Sequence, residues 1–340
     1  MKKIVYLFGA GASKNALPIV NEIPDRLKKL IDLIESDDYA LSDKIGFKDL
    51  NLQNTQSKRE YQSRMINDLD WLYSELERDQ HANIDTFAKK LMLKHNFQSL
   101  NRLKIALSVF LVCEQCLNKP DKRYDTFFAS ILSSTAKLPE NIKILSWNYD
   151  SQFELTFCDY IDINSISESQ TCLRVQAKYL QNDHTDGFEI YKLNGTTGLH
   201  SHSGYMKYQY NDYLSVPFTV DFLDTVVQSY AAVNNSSSNI STSLSFAWER
   251  EPAEQNFIDS ASKATKEAVA LVVIGYSFPF FNREIDRKII SEMTNLKRVY
   301  FQAPDADNLL ERFKAIKDDL TNIELIPKYD VEQFLLPNEL

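Results

Sequence analysis

Residues 1–20 read MKKIVYLFGAGASKNALPIV, and this stretch decides the fold. An apolar run, Ile4-Val5-Tyr6-Leu7-Phe8, stops at Gly9-Ala10-Gly11-Ala12-Ser13, and helical patterning resumes a few residues on. A buried strand feeding a glycine turn has this form. Glycine at 9 and 11 lets backbone approach a ligand without a Cβ in the way. A following helix start offers unpaired N–H groups and the positive end of a dipole to an anion. The expectation is a phosphate cradle made by Gly9, Ala10, Gly11, Ala12 and Ser13, with Ser13 touching phosphate, capping the helix, or both.

Working outward, Ile23-Pro24-Asp25-Arg26-Leu27 opens a helix with Leu27, Leu30, Ile31 and Ile34 on one face. A polar loop at 36–56 precedes a stretch from Lys58 to Ala136 that reads as helix throughout, which predicts a helical insertion after the first strand. Strand character returns at Ile142-Lys143-Ile144-Leu145-Ser146, followed at once by Trp147-Asn148-Tyr149-Asp150, and residues 151–159 read as helix. Glu189-Ile190-Tyr191-Lys192-Leu193 is a further strand, ending in Asn194-Gly195-Thr196-Thr197-Gly198. Residues 200–245 give only weak signals, and Asn234 to Asn239 reads as a mobile surface loop. Ala268 to Ile274 is an apolar strand closed by Gly275-Tyr276-Ser277-Phe278-Pro279. A helix at 283–293, a strand at 298–301, a helix at 306–318 and a strand at 323–326 follow. Continuous apolar strands alternating with helices predict an α/β doubly wound, mostly parallel sheet. The expected division is an α/β domain of residues 1–35 and 137–340 around a helical insertion of 36–136.

Composition narrows the function. With 44% apolar and 25% charged residues, 340 residues bury a full core. A net charge of -9 with no Lys or Arg cluster argues against direct nucleic-acid binding. No apolar run approaches the roughly 18 residues of a membrane helix, and the start resembles a strand rather than a signal peptide, so a cytoplasmic location is the default expectation. Cys113 and Cys116 form one CxxC inside the apolar helical pattern, and Cys158 and Cys172 have no near-neighbour ligand. Core thiols are expected and a structural zinc is not, because zinc needs a second pair. His81, His95 and His184 show no metal-ligand spacing.

Four strand ends thus carry residues suited to a ligand: 9–13, 146–150, 192–198 and 275–279. Open α/β sheets bind ligands at such ends. The ordinary dinucleotide fingerprint needs a third glycine, where this chain has Lys14, and a second strand carrying an acid about 20 residues on, where it has helix. No GxxxxGK[ST] is present, which excludes a P-loop ATPase.

Gly9-Ala10-Gly11-Ala12-Ser13, Ser146-Trp147-Asn148-Tyr149-Asp150, Lys192-Leu193-Asn194-Gly195 and Gly275-Tyr276-Ser277, in this order, resemble the sirtuin-like NAD-binding domains, in particular the bacterial zinc-free branch. Asn83-Ile84-Asp85 also looks like a segment of that branch. The resemblance implies a sirtuin-like Rossmann variant with NAD in the crevice. The glycine turn would face its phosphates, Asn148 and Asp150 would lie near the nicotinamide ribose, and Gly195, Gly275 and Ser277 would also contact the cofactor. It further implies NAD cleavage to nicotinamide and ADP-ribose, antiviral defence by NAD depletion, and activation by a homo-oligomer or a partner protein. One departure is Asn194, where the family has histidine. An amide is no general base near neutral pH, so a non-catalytic NAD or ADP-ribose sensor is the competing reading. Protein deacylation is disfavoured by the absence of the paired CxxC motifs.

The candidate catalytic residues are Asn148, Asp150 and Asn194. Asn148 can orient ribose or water, and Asp150 can bond the carboxamide or stabilise developing positive charge. Both could instead cap the helix after 150, and Asn194 could be a turn residue before Gly195. His200 and His202 could supply an imidazole or be loop residues. Phe280-Phe281 is expected to pack, and Arg283, Glu284, Asp286 and Arg287 to form a solvated or subunit-facing helix surface.

Overall fold

The computed structural model describes residues 2–44, 56–78, 83–178, 187–201, 217–235, 240–249 and 252–340. Among the described residues nine strands fall in chain order: β1 (Lys3–Phe8), β2 (Ile142–Ser146), β3 (Val175–Gln176), β4 (Glu189–Lys192), β5 (Gly195–Ser201), β6 (Ile240–Leu244), β7 (Ala268–Ile274), β8 (Arg298–Gln302) and β9 (Glu324–Lys328). Seven of them form one sheet in the order β3-β4-β2-β1-β7-β8-β9. Every pairing in it is parallel. The chain moves from β1 outward to β2 and β4, then returns to the other side of β1 and moves outward again through β7, β8 and β9. This is the doubly wound α/β arrangement, with its reversal point between β1 and β7.

β1 is buried on both faces because it sits at the centre of the sheet. Its even-numbered side chains, Ile4, Tyr6 and Phe8, pack with Tyr124, Phe127 and Phe128 of α5 (Lys122–Ile131) and with Phe153 and Phe157 of α6 (Gln152–Ile161). Phe334 seals the same face, its ring 5.1 Å from Phe8 and 5.0 Å from Tyr124. The opposite face, through Val5 and Leu7, meets α9 (Pro252–Thr265), α10 (Arg283–Ser291) and α11 (Ala306–Lys314).

A separate cluster is built from α1 (Ile23–Glu35), α2 (Lys58–Glu77), α3 (Ile84–Leu93), α4 (Phe97–Leu117) and α8 (Val220–Val233), together with Leu199 and Leu244 of the antiparallel β5–β6 ribbon. This cluster draws on segments both inside and outside residues 36–136. α1 and residues 220–248 join the helical body, while α5 joins the sheet because its three aromatics need that face.

The glycines run into a single 3-10 turn, Ala10–Ser13, and α1 starts at Ile23 as the sequence predicts. The polar run after Lys192 is strand β5 rather than loop. α7 (Ile166–Cys172), α8, α9, β3 and β6 left no clear sequence signal. Residues 236–239 of the expected surface loop, and His81, His184 and His202, lie outside the described residues. All four cysteines are free, and Cys113 is buried as expected. No helix among the described residues is long and apolar enough to cross a membrane.

Candidate functional site

The register places the carboxyl ends of the central strands side by side: Phe8 faces Ser146 and Ile274, Ser146 faces Lys192, and Ile274 faces Gln302. The residues after each end therefore share one edge. At the reversal point, the turns after β1 and β7 pack backbone on backbone. Gly9 N–H donates to Ile274 O (3.0 Å) and Gly11 N–H to Gly275 O (2.9 Å). Gly275 has φ +59°, and a Cβ there would lie 2.3 Å from Ala12 N; a Cβ on Gly9 would lie 2.6 Å from Tyr276 Cα. Contact between the two turns thus already demands these glycines.

From the helical side, Arg123 clamps the first turn, donating to Ala12 O (2.8 Å) and Gly11 O (3.2 Å). Asp121 holds the guanidinium through Nε and Nη2, at 3.0 and 2.6 Å. Burial alone would raise the Asp121 carboxyl, but hydrogen bonds and charge from Arg123 outweigh it and leave it below the usual carboxylate range.

Inside this frame lies a polar ring. Asn148 Nδ2 donates to Gly9 O (3.0 Å) and to Ser13 Oγ (3.3 Å). Since the Gly9 carbonyl only accepts, the amide orientation is fixed. Asn148 Oδ1 accepts nothing among the described residues and is the acceptor this ring offers outward. Ser13 Oγ donates to Asp150 Oδ2 (2.8 Å) and shares a 2.8 Å hydrogen bond with Tyr124 Oη. Ser13 is 2% exposed, and its hydroxyl is engaged by Asp150, Tyr124 and Asn148. Asp150 turns inward as well, accepting from Ser13 and from the Gln152 backbone N–H (3.3 Å). Hydrogen bonds inside the fold thus reach both of its oxygens, an arrangement consistent with the helix-capping alternative.

Asn194 is buried beside this ring, its Nδ2 near Trp147 O (3.3 Å) and Tyr149 Oη (3.4 Å). Its Oδ1 is buried with no hydrogen-bond partner among the described residues. Gly195 has φ +77°, and a Cβ would meet Ser243 O at 1.9 Å, so the β5–β6 ribbon accounts for it. Behind them, Lys192 Nζ donates to Asp150 O (2.5 Å) and Glu154 Oε2 (3.3 Å), both side chains fully buried. Ser277 is exposed, and its carbonyl accepts from Arg312 Nη1 (2.8 Å). His200 lies in β5.

Two acids escaped the sequence reading. Asp286 does not sit on a solvated helix face: it is 2% exposed and accepts from Trp147 Nε1 (3.0 Å) and Tyr276 Oη (2.6 Å), tying the β2 turn to the β7 turn. Burial pushes its carboxyl up to about 7, against those two hydrogen bonds. The signal was available, because Asp286 shares the spacing of Ile289, Ile290 and Met293 on one helical stripe. Asp85, at the start of α3, is pushed up to about 6 by burial. Its charge acts on the hydroxyls of Tyr149 and Tyr276, which burial raises first. Asp85 is therefore the titratable acid the helical body contributes to the strand-end cluster.

Of the expected aromatic pair, Phe281 packs on the helical body while Phe280 is 76% exposed. The cleft at the reversal point, lined by Gly11, Lys14, Arg123, Gly275, Gln302 and Val331 among others, measures about 50 Å³. Among the described residues no three His, Cys, Asp or Glu side chains are grouped as a metal would require.

No family model matches the chain, and no curated protein matches it. Among solved structures, one described as "Structure of Sir2Tm bound to a propionylated peptide" is similar at 13% sequence identity, over 88% of this chain and 80% of that one, with a TM-score of 0.32. A likeness at that score carries no weight for the site, and the fold assignment stands on sheet order and register.

Proposed function

We propose that the chain binds NAD at the reversal point of the sheet and cleaves it to nicotinamide and ADP-ribose. The observation that carries this reading is the fixed amide of Asn148, whose acceptor oxygen is presented beside the glycine turn while Ser13 and Asp150 hold it from behind. The resemblance of the four strand-end segments to sirtuin-like NAD-binding domains supports the choice of ligand.

The residues fit the ligand in chemistry. Asn148 Oδ1 and the partnerless Asn194 Oδ1 are acceptors for ribose hydroxyls, a carboxamide N–H or an attacking water. Asp85, pushed up to about 6 by burial, is a side chain able to take a proton near neutrality where Asn194 stands in place of the family's histidine. Glycosidic cleavage leaves positive charge on the ribose, which ionised Asp85 stabilises electrostatically. The cleft of about 50 Å³ is smaller than the roughly 300 Å³ of ordinary ligand sites, so NAD binding calls for an opening at this edge of the sheet. Activation by a homo-oligomer or a partner protein supplies a reason for that opening, and antiviral NAD depletion is the corresponding biological role.

The test is nicotinamide release by the full chain, assayed alone and in the assembly it forms in its native cell. Asn148→Ala should lower turnover about a hundredfold or more, the scale of losing one positioned polar group. Wild-type turnover should rise with pH through about 6 as Asp85 ionises. Full activity in Asn148→Ala would move the chemistry elsewhere. The second reading, an NAD or ADP-ribose sensor without catalysis, is favoured by Asn194 and by the closed cleft. It predicts binding without release, and release appearing in Asn194→His.

A further inference from the structure

We propose that the cavity between α2, α4 and α8 is a binding site for a small phosphate-bearing molecule. It measures about 370 Å³, within the range of small-molecule sites, and belongs to the helical body rather than to the strand-end cluster. Arg64, Asn67 and Asp68 line it from α2, Asn101 and Arg102 from α4, and Tyr230 from α8.

Arg102 is set in place by the protein alone. Its Nε donates to Asp68 Oδ1 (2.6 Å), its Nη2 to Asn67 O (3.2 Å), and its guanidinium lies 4.4 Å over the Trp71 ring. Nη1 makes no hydrogen bond among the described residues. Asp68 is satisfied on its other oxygen by Tyr230 Oη (2.5 Å), so its charge offsets Arg102 and leaves little for another cation. Burial, and then Asp68, push the Tyr230 hydroxyl far above its ordinary range, which keeps it a donor.

Arg64, one turn before Asp68 on α2, is the unbalanced group. It donates to the neutral Gln56 Oε1 (3.0 Å) and has no carboxylate partner among the described residues. The cavity thus holds two guanidinium groups against one carboxylate, in a chain whose net charge is -9. An Asp68–Arg102–Tyr230 triad serving packing alone would explain neither the hollow nor Arg64. Planar guanidinium donors, one already immobilised, suit phosphate oxygens. The Asn67 and Asn101 carboxamides, which both donate and accept, suit hydroxyls on the rest of such a ligand.

The experiment is calorimetric titration of the full chain with glucose 6-phosphate, with inorganic phosphate and with glucose. Saturable binding of glucose 6-phosphate and none of glucose is expected. Phosphate binding as tight as the sugar phosphate would identify free phosphate as the source of the chemistry; tighter sugar phosphate binding would identify an organic phosphate. Arg64→Ala should weaken binding about tenfold while leaving the melting temperature unchanged, because Arg64 is exposed. Arg102→Lys keeps the charge but loses the fork, and should also weaken it. The proposal fails if neither phosphate binds saturably at millimolar concentration, if glucose binds equally, or if Arg64→Ala binds as the wild type does. None of these outcomes depends on NAD cleavage.

Discussion

Asp286 is a carboxyl that the fold keeps protonated well above the ordinary carboxylate range, up to about 7. The unfolded chain releases that proton near pH 3.9, whereas the folded protein holds it up to about pH 7. Between those values the native state binds more protons than the unfolded state, so this residue's contribution to stability is present below about pH 4 and is lost as pH rises through about 7. Asp286→Asn removes the ionisation while keeping an acceptor for Trp147. Urea denaturation at pH 5 and pH 8 should therefore show a flatter pH dependence in the variant, by on the order of a few kcal/mol. An unchanged slope would mean that Asp286 ionises freely in the native state.

At the scale of elements, the mutual packing of the β1 and β7 turns makes Gly275 irreplaceable by conformation and by space. Gly275→Ala should cost at least about 2 kcal/mol in denaturant unfolding, combining a left-handed backbone with a contact of 2.3 Å to Ala12 N. A loss of a few tenths would show that the turns separate readily. This interlock was only half legible. Gly9 and Gly11 announced a close approach, but the sequence does not say whether the approaching object is a ligand or Gly275. Strands β1, β2, β7 and β8 were legible because parallel strands in a sheet interior are apolar on both faces. The β5–β6 ribbon was not, since Ile240-Ser241-Thr242-Ser243-Leu244 acquires its partner only by pairing antiparallel with Gly195–Ser201, about 40 residues earlier. For the site, Asn148 and Asn194 could be read from their places after apolar strands. Asp286 could have been read from its place on the buried stripe of Ile289, Ile290 and Met293, whereas Asp85 could not, because its importance comes from burial against other elements.

For the whole molecule, the face of the sheet over β1 is closed by parts of the chain far from it in sequence. Phe334 packs on Phe8 and Tyr124 and lies beneath the Arg123 guanidinium, 5.1 Å from its ring centre. Tyr6 Oη donates to Leu335 O (3.1 Å). Phe334→Ala should cost about 3–5 kcal/mol in equilibrium unfolding, the range for truncating a buried phenylalanine. A much smaller loss would mean that this segment rests on the sheet without stabilising it. The run of helices after Lys58 was legible in outline. The assignment of α5 was not, because Tyr124, Phe127 and Phe128 would satisfy either body by pattern alone.

The central place of β1 also governs how the protein reaches its native state. Ile4 pairs with Ile142 on one side and with Ala270 on the other, so neither neighbour is local. Long loops must close before this strand gains anything from them, which slows assembly. Until residues 268–274 dock, β1 presents an apolar unpaired edge. The interval before docking is when the chain is most exposed to aggregation.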